Sequence, residues 1–317
     1  MRIGKLANAP LWGSTAVLFA SAAIVLVTGP SRLAIDDPAS QFTLLTEEFA
    51  ARAMWVASAI ALTVAILVII AVSLRTVQEL ASRFCSHAIL FAAALFGIAF
   101  AFSFADERVG SIETWELVKS VRTRIGHYVS FLFHFIDASA AFALGMFIAA
   151  CRALVTPSNS GSFGAATIAT RMRRARTLLF CTSAGLLVAI AEIYALYGWI
   201  ATYSRIVNAD FRDQESVALY GTTVAGFVGT VSTLLLLGGW LPACLLLRAH
   251  AFALYDGLDE AVRRETTREV WLKQNELSVE FPQQAIAAAS LVAPYVAGAV
   301  SPGLMEILNK FHEFTQA

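Results

Sequence analysis

Four ionisable side chains, His87, His134, Asp137 and Glu192, stand inside stretches of the sequence that are otherwise apolar. A charge in hydrocarbon is costly, so such groups mark either proton or ion chemistry or a paired contact between helices. His134 and Asp137 are three residues apart and share a helix face with His127, Ser130, Ala141 and Gly145. Phe131, Phe133, Phe135, Phe142 and Phe147 fall mainly elsewhere around that helix, so the small and polar side is expected against protein and the phenylalanines against lipid. One reading makes Asp137 the partner of His134 in a helix contact, with Glu192 bonded to a neighbouring group. The other makes Asp137 and Glu192 a proton or cation station, with His134 as a titratable relay and His127 near its mouth.

The remaining reactive groups are weaker signals. Cys85, Cys151, Cys181 and Cys244 fall at corresponding ends of four apolar stretches, with His87 beside Cys85. They are metal-ligand candidates in principle, but no CxxC or CxxH pair pre-organises a site, and buried thiols acting as small apolar residues are the expected state. Haem needs axial ligands at one depth, which His87 and His134 do not share, so no cofactor is expected. Arg171, Arg173, Arg174 and Arg176 form a cluster suited to anionic lipid headgroups. No nucleophile elbow, phosphate loop, zinc-protease helix or dinucleotide fingerprint is present, and an enzyme is not expected.

These groups must be positioned by elements that live in a membrane. Of the 317 residues, 58% are apolar and 15% charged, far from the roughly 25% charged of soluble chains. Six stretches reach spanning length, near 11–29, 55–74, 84–105, 128–150, 178–203 and 218–247. Each must be helical, because hydrocarbon offers no partner for backbone groups. The expected fold is an all-α polytopic membrane bundle of six transmembrane helices over 1–248, followed by an amphipathic helical cytosolic tail over 249–317.

Charge sets the expected orientation. Lysine and arginine balance aspartate and glutamate at 23 each, which speaks against nucleic acid as a partner. Fifteen of the basic residues fall in the N-terminal segment, the 75–83 and 151–177 loops and the tail, which places both termini in the cytosol, with a bacterial inner membrane as the expected location. In the tail, Leu254, Leu258, Val262 and Val270 keep helical spacing, and Glu260 and Arg264 form an i,i+4 pair. A further apolar stretch, 284–300, is expected as a packed, re-entrant or seventh membrane helix. Ala93, Gly97 and Ala101, and likewise Gly221, Gly226 and Gly229, predict tight helix contacts.

Two functions fit this layout. The first is a channel or transporter for protons or small cations that uses Asp137 and Glu192. The alternative is a membrane scaffold, accessory subunit or pore-forming effector. Besides the bilayer, the expected partner is a second copy or another membrane subunit, engaged through the C-terminal tail.

Overall fold

The computed structural model describes residues 38–105, 127–156, 164–206 and 211–277, and the isolated positions 289, 292, 293 and 296. Among the described residues all regular secondary structure is helical. Helix α1 spans Pro38–Ala81, a 3-10 turn covers Ser82–Phe84, and α2 spans Cys85–Ala105. Helices α3 (His127–Val155), α4 (Ala165–Ile206) and α5 (Phe211–Asp256) complete the bundle, and the short α6 (Glu260–Glu265) and α7 (Arg268–Gln274) follow it. The predicted crossing at 11–29 lies outside the described residues, as does most of 284–300.

Among the described residues four helical stretches are long and apolar enough to cross a membrane: Leu44–Ala101, His134–Val155, Ala165–Tyr203 and Leu219–Asp256. The first holds two of the expected crossings, and the packing of α3 shows that the chain reverses between them. Phe135 meets Phe96, and Gly145 abuts Ala92, so α3 runs antiparallel to α2. The end of α3 meets the start of α4, where Arg171 reaches Leu154 and Thr156. Helix α4 is antiparallel to α1, since Trp55 meets Glu192 and Glu79 meets Arg174. It is antiparallel to α5 as well, since Tyr197 faces Tyr220 and Ala175 faces Trp240. Helices α1, α3 and α5 therefore run one way, and α2 and α4 the other.

The helices hide small side chains and Trp55, Phe147, Trp199 and Trp240 inside, and turn Met54, Val68, Leu90, Phe227 and Leu234 outward. An outward face of this kind suits hydrocarbon and is foreign to a soluble surface. Between Arg52 and Arg75, α1 carries 22 uncharged residues, about 33 Å at 1.5 Å per residue, which matches an apolar layer of about 30 Å. Several hydroxyls within the layer bond their own helix: Thr63 donates to the Ala59 carbonyl at 3.0 Å, and Thr223 to that of Leu219 at 2.9 Å.

Several local expectations are corrected. Phe147 is buried against Gly239 instead of facing lipid, because Gly239 leaves room for the ring. Among the described residues nothing lies within 4 Å of where a Cβ on Gly97 would stand; the close approach of α2 to α3 is one helix position over, where a Cβ on Gly145 would stand 2.9 Å from the Ala92 Cα. Gly221 does serve a tight contact, since its Cβ would fall 2.5 Å from that of Tyr197. The tail is not one helix. Helix α5 runs on through Arg248 to Asp256, and after Gly257 the chain folds back, so that Trp271 packs on Tyr255 and the Tyr255 hydroxyl donates to the Thr266 carbonyl at 2.8 Å. This break carries Val270 out of the expected stripe and leaves it exposed, whereas Leu272 and Leu277 are buried. The Glu260 and Arg264 pair forms at 2.6 Å.

Gly145→Val should force α2 away from α3 and lower the unfolding midpoint of the detergent-purified chain by an amount corresponding to about 1–3 kcal/mol. Gly97→Val, on the open face of the same contact layer, should leave it unchanged. Equal midpoints for the two variants would contradict the assigned packing.

Candidate functional site

Where α1 and α4 cross at the end away from the arginine cluster, two tryptophans and two glutamates interlock. The Trp55 indole N–H of α1 donates to Glu192 Oε1 of α4 at 2.7 Å, and the Trp199 indole N–H of α4 donates to Glu48 Oε1 of α1 at 2.8 Å. The two indoles stack between the bonds, with centroids 5.0 Å apart and planes 17° apart. Arg52 lies one helical turn from Glu48 and pairs with it at 3.4 Å. All five side chains are buried.

The local sequence explains the arrangement. Glu48 and Trp55 are seven residues apart, as are Glu192 and Trp199, and seven residues make two helical turns on one face. Two antiparallel helices that carry the same Glu-x6-Trp spacing must bring each carboxylate to the other's indole, so the cluster has local two-fold symmetry. An indole N–H is a donor with no acceptor capacity, and a carboxylate accepts only, so each partner meets the other's need at a position shielded from water.

Glu192 is thus half of one clamp. It follows Arg174 by 18 residues, about 27 Å along α4, which puts it near the far boundary of an apolar layer of about 30 Å. Asp137, about 22 Å from Arg152 on the same measure, sits deeper, is exposed, and lies close enough to Glu192 for their charges to interact. His134 is buried at 2% exposure. His127 begins α3, and its side chain falls outside the described residues. The structure thus brings Asp137 into the neighbourhood of Glu192, and joins to Glu192 three residues that the charge inventory overlooked: Glu48, Trp55 and Trp199. The signal that could have found them is the repeated Glu-x6-Trp pattern.

The opposite end is basic. Arg171 is not available to headgroups: it is buried, and its Nη1 donates to the Leu154 and Thr156 carbonyls, both at 2.6 Å, closing the end of α3. Arg174 pairs with Glu79, which also accepts from Arg75 at 2.8 Å. Arg173 remains exposed, and Arg176 is half-buried. Among the described residues no three His, Cys, Asp or Glu side chains gather closely enough to hold a metal ion, so Cys85, His87, Cys151, Cys181 and Cys244 form no such cluster. All four cysteines are free thiols.

Comparison with protein-family models, curated proteins and solved structures finds no match to this chain. The chain is a helical bundle with apolar stretches fit for a membrane, and its site has to be read from its own chemistry.

Trp55→Phe keeps a ring in the stack but removes the N–H, leaving a buried carboxylate short of its donor. It should cost about 1–3 kcal/mol in denaturant unfolding. In a Glu192→Gln background the same substitution should cost less, because the charge-assisted part of the bond is already gone. The same cost in both backgrounds would show that the carboxylate's charge adds nothing to the bond.

Proposed function

We propose that this chain is a multi-pass membrane scaffold or accessory subunit rather than a conduit, and that its buried carboxylates hold helices together. The observation that carries the reading is the crossed clamp: Glu48 and Glu192 are each engaged by an indole N–H in a stacked aromatic interface. A relay carboxylate needs access to a hydrated path, whereas these two are enclosed at 1% and 7% exposure. In support of a partner, α2 packs mainly on α3 and leaves Leu90, Ala93, Gly97 and Ile98 outward, a face on which another membrane helix can approach closely. Six spans with cytosolic termini in a bacterial inner membrane remain the topology that fits the loop charges.

The rival reading is passage of protons or small cations through Asp137 and Glu192 with His134 beside them. It is favoured by one observation, the exposed Asp137 within electrostatic reach of Glu192.

Proton and cation flux into vesicles holding the purified full chain distinguishes the two. The scaffold reading expects wild-type, Asp137→Asn and Glu192→Gln proteins to match empty vesicles. A wild-type flux that falls at least tenfold in both variants would establish transport instead. Assembly is checked by light scattering of the detergent-solubilised chain. Because α5 continues to Asp256, the informative truncation is after Gly257, and the scaffold reading expects the oligomer to dissociate in that form.

A further inference from the structure

A cavity of 520 Å³ lies at the arginine end, between the end of α1, the Ser82–Phe84 turn, the start of α2 and the end of α3. Its volume is within the range of about 300–1,000 Å³ typical of small-ligand sites. The walls are Val77, Ala81, Ala88, Phe91, Ile148 and Ala149, an apolar lining fit for hydrocarbon. Among the described residues the polar groups are confined to His87, Arg152 and Thr156, and no carboxylate lines the space. We propose that this cavity binds an anionic phospholipid, with one acyl chain against the apolar wall and the phosphate on Arg152 beside His87.

Charge complementarity selects that occupant over a neutral lipid. Among the described residues Arg152 joins no salt bridge, unlike Arg174, which is held by Glu79. Arg152 is exposed at the mouth, where a guanidinium can meet a phosphate with two parallel N–H donors. Glu79, the acidic residue nearest the turn along α1, is occupied by Arg75 and Arg174, so it does not oppose an anion here. Arg83, exposed in the turn, adds positive charge to the same end. Depth agrees as well: Arg152 stands where α3 ends and Arg171 closes it, so a phosphate there would lie at the polar boundary with its chain directed into the apolar layer. The proposal rests on the membrane location alone, and holds equally for a scaffold or a transporter.

The test is native mass spectrometry and thermal unfolding of the detergent-purified full chain. Mixed micelles containing phosphatidylglycerol or phosphatidylcholine, and inorganic phosphate alone, serve as probes. Phosphatidylglycerol should be retained about tenfold more strongly than phosphatidylcholine and should raise the unfolding midpoint. Arg152→Gln should remove that preference while leaving the lipid-free midpoint unchanged, and Ala149→Phe should reduce retention of both lipids by filling the space. Equal retention of the two lipids, or a preference that survives Arg152→Gln, would overturn the proposal. So would equal stabilisation by inorganic phosphate, which would make the occupant a free anion.

Discussion

The bundle depends on one constraint: polar groups between α1 and α4 must satisfy each other, because neither water nor lipid can. Two indoles and two carboxylates meet it by pairing across the interface, each bond joining the two helices. Because both bonds and the ring stack share one small region, a shift of either helix by a turn, about 5.4 Å, would break all of them together. That fixes the register of α1 against α4, and through α4 the position of α5. It is the role a single polar position plays in a coiled coil, where an unsatisfied alternative excludes every other alignment.

Elsewhere the contacts are close but less directional. Gly145 against Ala92, Gly239 under Phe147 and Gly221 beneath Tyr197 let backbones or rings approach where a side chain would hold them apart. In hydrocarbon such packing replaces the hydrophobic drive, since lipid tails are as apolar as the helix faces. The charged residues collect at the two ends. Glu48 with Arg52 lies at one, and Arg75, Glu79 and Arg174 lie at the other. Between them lies an apolar belt of about the bilayer's thickness.

This distribution changes how the intramembrane acids are understood. Glu192 stands near one boundary of the belt, where its cost is lower than at the centre, and its carboxylate has a committed partner. Asp137 is placed differently: it is deeper and exposed, and within electrostatic reach of Glu192. The basic end is divided in the same way between structure and availability. Arg171 ends a helix, Arg174 joins a salt bridge, and Arg152 stays accessible beside an apolar cavity.

Much of the architecture was legible because length and hydropathy along one segment decide whether it can be a membrane helix, and no distant residue can alter that. The all-helical class, the long apolar stretches and the Glu260 and Arg264 pair are all local properties. Which face of each helix meets which neighbour is a property of two helices at once. The Phe147 face was misread for that reason: every side of a membrane helix is apolar, so composition does not distinguish lipid from protein. The broken tail eluded periodicity because a fold-back at Gly257 resets the spacing. The repeated Glu-x6-Trp pattern was present in the one-dimensional string, yet only the antiparallel pairing of α1 with α4 turned two separate spacings into one interlocked site, since a hydrogen bond across 137 or 151 residues exists only after the chain has packed.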